Sequence, residues 1–121
     1  HFSSKDDLAL AAITYWNETT GQLFAAAPYH QLADPRDRLL AYLDFRESLL
    51  SGEPAQFTCL LGAIAQESFA THPTLRDACH AGITSHADTL TPTVAAALAQ
   101  YAPTQAASAA SLALYFQAVL Q

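Results

Sequence analysis

Hydrophobic residues recur along this chain at spacings of three and four, and the recurrence divides it into five helical segments joined by short loops. The first opens at Ser3 or Ser4, whose hydroxyl caps a helix while Asp6 and Asp7 sit at its positive end. Leu8, Ala12, Tyr15, Trp16, Thr20, Leu23, Phe24 and Ala27 then form one stripe, and Pro28 stops it. The second begins at Asp34-Pro35, a capping carboxylate followed by a proline preset to the helical φ. It carries Leu39, Leu40, Tyr42, Leu43, Phe45, Leu49 and Leu50 until Gly52 and Pro54 close it. The third, from Pro54 to about Thr71, is uncharged on every face between Phe57 and Ala65, as expected of a helix covered by several neighbours. The fourth starts at Pro73 or Thr74, with Thr74 and Asp77 spaced for a capping box. Its stripe runs Leu75, Cys79, Gly82, Ile83, His86, Leu90, Val94, Leu98, Tyr101. Pro92 falls inside that stripe without shifting its phase, so the pattern predicts a kink, or a fresh start capped by Thr91. The fifth starts near Thr104, first alanine-rich and then carrying Leu112, Tyr115, Phe116, Val119 and Leu120.

Composition strengthens the helical reading. Alanine supplies 26 of 121 residues, whereas valine occurs twice and isoleucine three times, so few β-branched side chains favour a strand. The expected fold is all-α, a bundle of about five helices in one domain. With 51% hydrophobic residues and a mean hydropathy of +0.12, the chain is not disordered and can bury a core with room for a cavity. Its longest apolar run, Cys59 to Ala65, is far short of the roughly 20 residues of a membrane span, so no membrane partner is expected. No secretory signal pattern opens the chain, and two cysteines without a CxxC fit a reducing cytoplasm.

Charge narrows the function. Eleven acids face five bases (Lys5, Arg36, Arg38, Arg46 and Arg76), for a net charge of −6. No basic stripe exists, so this segment does not hold a nucleic-acid backbone by counterion release, and any DNA binding comes from elsewhere. The chain opens abruptly at His1-Phe2 and its last segment runs to Gln121 still apolar, so the protein is expected to continue beyond both ends.

Chemistry finds little purchase. His72, Cys79 and His86 share a helical face, but each seven-residue step is about 10.5 Å of rise, too far for ligands that must converge on one ion. No HxxxH pair is present. Neither is a nucleophile elbow, a glycine-rich phosphate loop or a paired-carboxylate pattern. Cys59 and Cys79 read as small buried apolar groups, with a redox role for Cys59 as the alternative. An enzyme built on His80 or His86 would find only Asp77 and Asp88 as carboxylate partners on the same segment. No catalytic residue, metal or cofactor is expected.

The aromatics are more informative. Trp16, Thr20 and Phe24 share one face of the first segment, Tyr42 and Phe45 lie on the second, and Phe57 and Leu61 on the third. Singly, each is an ordinary core residue. Together with the polar groups of Gln66 and His86 they furnish what a cavity for a small apolar or aromatic effector needs. Leu112, Tyr115, Phe116, Val119 and Leu120 cover more than one stripe, which predicts a homodimer surface. The rival reading closes the core and leaves a ligand-free helical interaction module.

The opening HFSSKDDLALA, His1 to Ala11, resembles the junction between recognition helix and linking helix in tetracycline-repressor family regulators. FTCLLGAIAQE, Phe57 to Glu67, followed by His72-Pro73-Thr74-Leu75-Arg76, is similar to that family's central ligand-domain helix and the start of the next. Leu112 to Gln121 is similar to its penultimate helix. The resemblance implies a regulator, usually a repressor, whose N-terminal helix-turn-helix reads operator DNA as a homodimer while a helical C-terminal domain binds an effector. Residues 1–7 would then be the remnant of the helix-turn-helix junction, and 8–121 the effector-binding and dimerisation domain without the last interface helix. Lys5 matches the family lysine that contacts a DNA phosphate, and His1 is a candidate for the same contact. An effector would reset the tilt of the first helix, and with it the separation of two recognition helices matched to half-sites about 34–36 Å apart.

Overall fold

Ser4 accepts a hydrogen bond at 3.0 Å from the backbone N–H of Asp7 and so starts α1 (Lys5–Ala25) in a computed structural model that describes residues 1–120. A short 3-10 turn (Pro28–Gln31) follows, and it closes the helix behind it. His30 Nε2 donates to the carbonyl of Phe24 at 2.9 Å and the Tyr29 hydroxyl reaches the same oxygen at 3.4 Å, so a carbonyl left over at the helix end is satisfied. Helix α2 (Pro35–Ser48) begins as its sequence predicts. The Asp34 carboxylate accepts from the N–H groups of Arg36 and Asp37 at 2.8 and 3.2 Å, with Pro35 in the first turn.

The third expected segment is broken. A single turn, α3 (Pro54–Phe57), is followed by extended Thr58 and Cys59, and then by α4 (Leu60–Ser68). The turn closes on itself: Glu53 N–H donates to Gln56 Oε1 at 2.8 Å, and Thr58 returns both its hydroxyl and its N–H to the Pro54 carbonyl. Gly52, at φ +87°, makes the entry to this turn in the left-handed region.

Helix α5 (Pro73–Tyr101) runs unbroken for 29 residues with Pro92 inside it. The proline removes one rung of the ladder, and packing on both sides carries the helix past it. Thr91 caps nothing; its hydroxyl is buried without a hydrogen-bond partner. Nor does the Thr74–Asp77 capping box form, because the Asp77 carboxylate accepts instead from Arg76 Nε at 2.8 Å. Helix α6 (Ala109–Leu120) starts later than expected, where Ser108 Oγ accepts from the N–H of Ser111 at 3.1 Å. The all-α reading therefore holds, with six α-helices rather than five among the described residues.

Helix α5 is the axis, packed against α1, α2, α4 and α6. Two apolar clusters lie along it. Near its C-terminal half, Leu90 and Val94 pack with Ala27, Tyr29, Tyr42 and Ala113. Near its N-terminal half, Cys79 and Leu75 pack with Ile13 and Leu61. Full burial of one such large side chain contributes about 1.5–3 kcal/mol. At the far end, the Tyr101 hydroxyl hydrogen-bonds Asp34 while Arg36 lies 4.7 Å over the Tyr101 ring, which fastens the start of α2 to the end of α5. That hydroxyl donor holds the Asp34 carboxyl below its usual range. Among the described residues, no helix is long and apolar enough to cross a membrane.

Candidate ligand cavity

Between the two clusters α5 leaves a cavity of about 320 Å³. One face of α1 supplies Trp16, Asn17, Thr20, Leu23 and Phe24, residues three to four apart that a helix stacks on one side. Gly82, Ile83 and His86 of α5 lie opposite. Phe57, Cys59 and Leu61 close one end, and Leu49, Leu50 and Gln56 stand at the mouth, where the large apolar side chains stay exposed to solvent by a third or more. Gly82 lies where the helices approach closely, against the tips of two side chains. A Cβ there would lie 2.5 Å from Asn17 Oδ1 and 2.9 Å from Leu61 Cδ1. A second groove of about 360 Å³ between α1 and α5, lined by Gly21, Ala78, Ala81 and Ser85, shares Asn17, Thr20, Gly82 and His86 with the cavity.

The floor is polar. Tyr42, fully buried, receives Gln117 Nε2 at 2.9 Å and Arg46 Nη1 at 3.3 Å on its hydroxyl oxygen, and faces His86 Nε2 at 3.1 Å. Arg46 and the amide of Gln117 donate, so the Tyr42 proton goes to His86 Nε2, which accepts and leaves the imidazole proton on Nδ1. Burial, aided by the Arg46 charge, pushes the His86 pKa down to about 4, consistent with a neutral ring. The ring of Phe24 meets His86 edge-on at 4.5 Å. Arg46 also donates to Gln117 Oε1 at 3.2 Å and to the Leu120 carbonyl at 2.9 Å, where it caps α6.

Residues 35–121 match the profile of the family described as "Tetracyclin repressor-like, C-terminal domain". This chain belongs to that family. No curated protein and no solved structure gave a match. The matched stretch holds Tyr42, Arg46, His86 and Gln117, whereas α1 precedes it.

In this tetracycline repressor-like domain, the structure brings together six of the nine residues the sequence assigned to a cavity: Trp16, Thr20, Phe24, Phe57, Leu61 and His86. Tyr42 does not line the cavity; it stands one layer behind, its hydroxyl bonded to the lining residues His86, Arg46 and Gln117. Phe45 also lies behind the wall, its ring edge-on to Phe24 at 5.3 Å. Gln66 is exposed on α4 and takes no part, because it sits five residues after Leu61, roughly 140° around the helix. Arg46 and Gln117 were the polar groups missed. Arg46 lies one turn after Tyr42, a signal present in the sequence, while Gln117 comes from a helix whose placement only the fold reveals.

The five residues assigned to a dimer surface divide. Leu112, Phe116 and Leu120, four apart, pack into the domain's own core. Tyr115 and Val119 point outward, 65% and 64% exposed, and Leu114 joins them. Lys5 is the exposed first residue of α1, and His1 is exposed ahead of it. His72 pairs with Asp6 at 3.8 Å, His80 is exposed, and burial raises the Cys79 thiol pKa, with nearby Cys59 adding to the shift. Among the described residues no group of three or more His, Cys, Asp or Glu is placed to hold a metal.

Proposed function

We propose that this domain is the effector-sensing and dimerising half of a ligand-responsive transcriptional repressor acting in the cytoplasm, a regulator rather than an enzyme. The observation that carries the reading is the cavity walled by α1, the helix that would lead to the DNA-reading unit. Along Asn17, Thr20 and Gly21, α1 borders both the cavity and the groove that adjoins it against α5, so it is less tightly seated there than a core helix. An apolar or aromatic effector that fills the cavity favours one setting of α1. Residues 1–7 carry that setting to a helix-turn-helix, with Lys5 and His1 on DNA phosphates. A homodimer formed through Tyr115, Val119 and Leu114 converts the tilt into a changed separation of two recognition helices. A coupling of about 1–3 kcal/mol is typical of such linkage.

Thermal unfolding in the presence of a panel of hydrophobic and aromatic compounds tests the reading, since a cavity binder raises Tm by mass action. Trp16 is the chain's one tryptophan and lines the cavity, so its emission gives a titration of the same event. Trp16→Ala and Phe24→Ala are expected to alter the response while the protein still folds. Unchanged titrations in both, followed thermally, would remove the cavity from the mechanism. If no compound shifts Tm, the exposed Leu114, Tyr115 and Val119 favour the second reading, a ligand-free dimerisation module.

A further inference from the structure

We propose that the cavity selects an amphipathic carboxylic acid: an apolar or aromatic body between α1 and α5, with its carboxylate against Arg46 and His86. The inference rests on the reading that the cavity takes an effector, and it names the chemistry of that effector.

Charge is the first argument. The lining contains a cation, Arg46, and no aspartate or glutamate, in a chain where acids outnumber bases 11 to five. Asp44 and Glu47 flank Arg46 on α2, yet both are exposed, and no ion pair joins Arg46 to a carboxylate among the described residues. Its acceptors are the neutral oxygens of Tyr42, Gln117 and Leu120. A guanidinium carries more N–H groups than those acceptors use, and its planar fork matches a carboxylate edge.

Hydrogen-bond accounting is the second. The Tyr42 hydroxyl accepts twice and donates once, so it is saturated. His86 uses Nε2 on Tyr42, which leaves its Nδ1–H as a donor with no hydrogen-bond acceptor among the described residues. Both unspent groups, on Arg46 and on His86, are therefore donors. A wholly apolar guest would cover them and leave them unpaired, which disfavours it. An ammonium would meet Arg46 as a like charge. A carboxylate accepts from both and forms the shorter, charge-assisted bonds. The remainder of the wall (Trp16, Leu23, Phe24, Phe57, Ile83) takes the body, and about 320 Å³ is at the small end for such sites, which limits that body to one or two rings or a medium chain.

Arg46 also caps α6, and a role confined to that cap is what the test must separate. Calorimetric titration of the protein with two matched series decides: 1-naphthaleneacetate and decanoate, each beside its primary amide and its alcohol. The acid of at least one series is expected to bind about tenfold more tightly than its amide and alcohol, a difference of about 1.4 kcal/mol. Arg46→Gln is expected to abolish that preference, so that acid and amide of one series bind with equal affinity. If the variant does not fold, the comparison of acid with amide in the unaltered protein stands on its own. Acid, amide and alcohol binding equally would overturn the carboxylate assignment and leave the cavity reading intact. Failure of all six compounds to bind would overturn both.

Discussion

Around Leu90 and Val94, α5 is enclosed by α2 and α6, and the filling is aromatic: Tyr29 and Tyr42 meet edge-on at 5.5 Å, with Phe24 and Phe45 beside them. Around Cys79 the same helix is met by α1 and α4, and the filling is aliphatic, Ile13 and Leu61 with Leu75. The first region is also tied by hydrogen bonds from three helices onto one buried hydroxyl. The second has no such tie among its buried members. The cavity lies at the seam, and α1 has a foot in each region, Ile13 in one and the Ala27 that follows it in the other. The effector-sensing role proposed above would need this inequality: one body rigid enough to be a reference, and one helix that can settle differently against it.

Truncation is the strongest way to break that comparison. Tyr42→Ala removes a fully buried ring and orphans the groups around its hydroxyl, so a loss of about 3–5 kcal/mol is expected in urea unfolding. Leu61→Ala borders a space that already exists, and its cost is expected near the lower end of the usual range, about 2 kcal/mol. Equal costs would mean that the two regions are equally well packed.

Acid sharpens the same contrast through His86. Its folded pKa, about 4, lies below the unfolded value of about 6.5, so between those values the unfolded chain binds the extra proton. Stability contributed by this group is complete above pH 6.5 and is lost as pH falls toward 4. After discounting for the solvent-reachable edge of the ring, the loss is on the order of 2 kcal/mol. Urea midpoints at pH 7 and pH 4.5 should therefore diverge in the unaltered protein and draw together in His86→Gln. An equal acid sensitivity in the variant would show that the ring is not buried at the seam.

What the sequence made legible follows from how local each signal is. Ser4, the Asp34-Pro35 pair and the unbroken phase across Pro92 act within one or two turns, and each element they mark is present. The break at Thr58 and Cys59 was hidden because no glycine or proline stands at it; the capping pair Glu53 and Gln56 was the available sign. The alanine run before α6 carries no phase, so Ser108 could not be told from Thr104 as its start. The apolar wall of the cavity was readable from α1, whose residues share one face. Its polar floor was not, because Tyr42, Arg46, His86 and Gln117 meet across three helices and are separated by up to 75 residues.

The smallest effect is expected at Gly82, where three helices converge. Alanine there gains helix propensity, up to about 1 kcal/mol. Against that, its methyl displaces the amide end of Asn17 and one methyl of Leu61, both at the tips of side chains that have the cavity to move into. Gly82→Ala should thus change stability by less than about 1 kcal/mol, yet weaken whatever compound the cavity binds, because the displaced groups occupy its volume. Urea unfolding and calorimetric titration of one preparation read the two quantities together. If the variant instead lost as much stability as Tyr42→Ala, α1 would be seated on α5 as firmly as α2 is. The seam would then be as rigid as the aromatic region, and an effector would have no looser helix to reset.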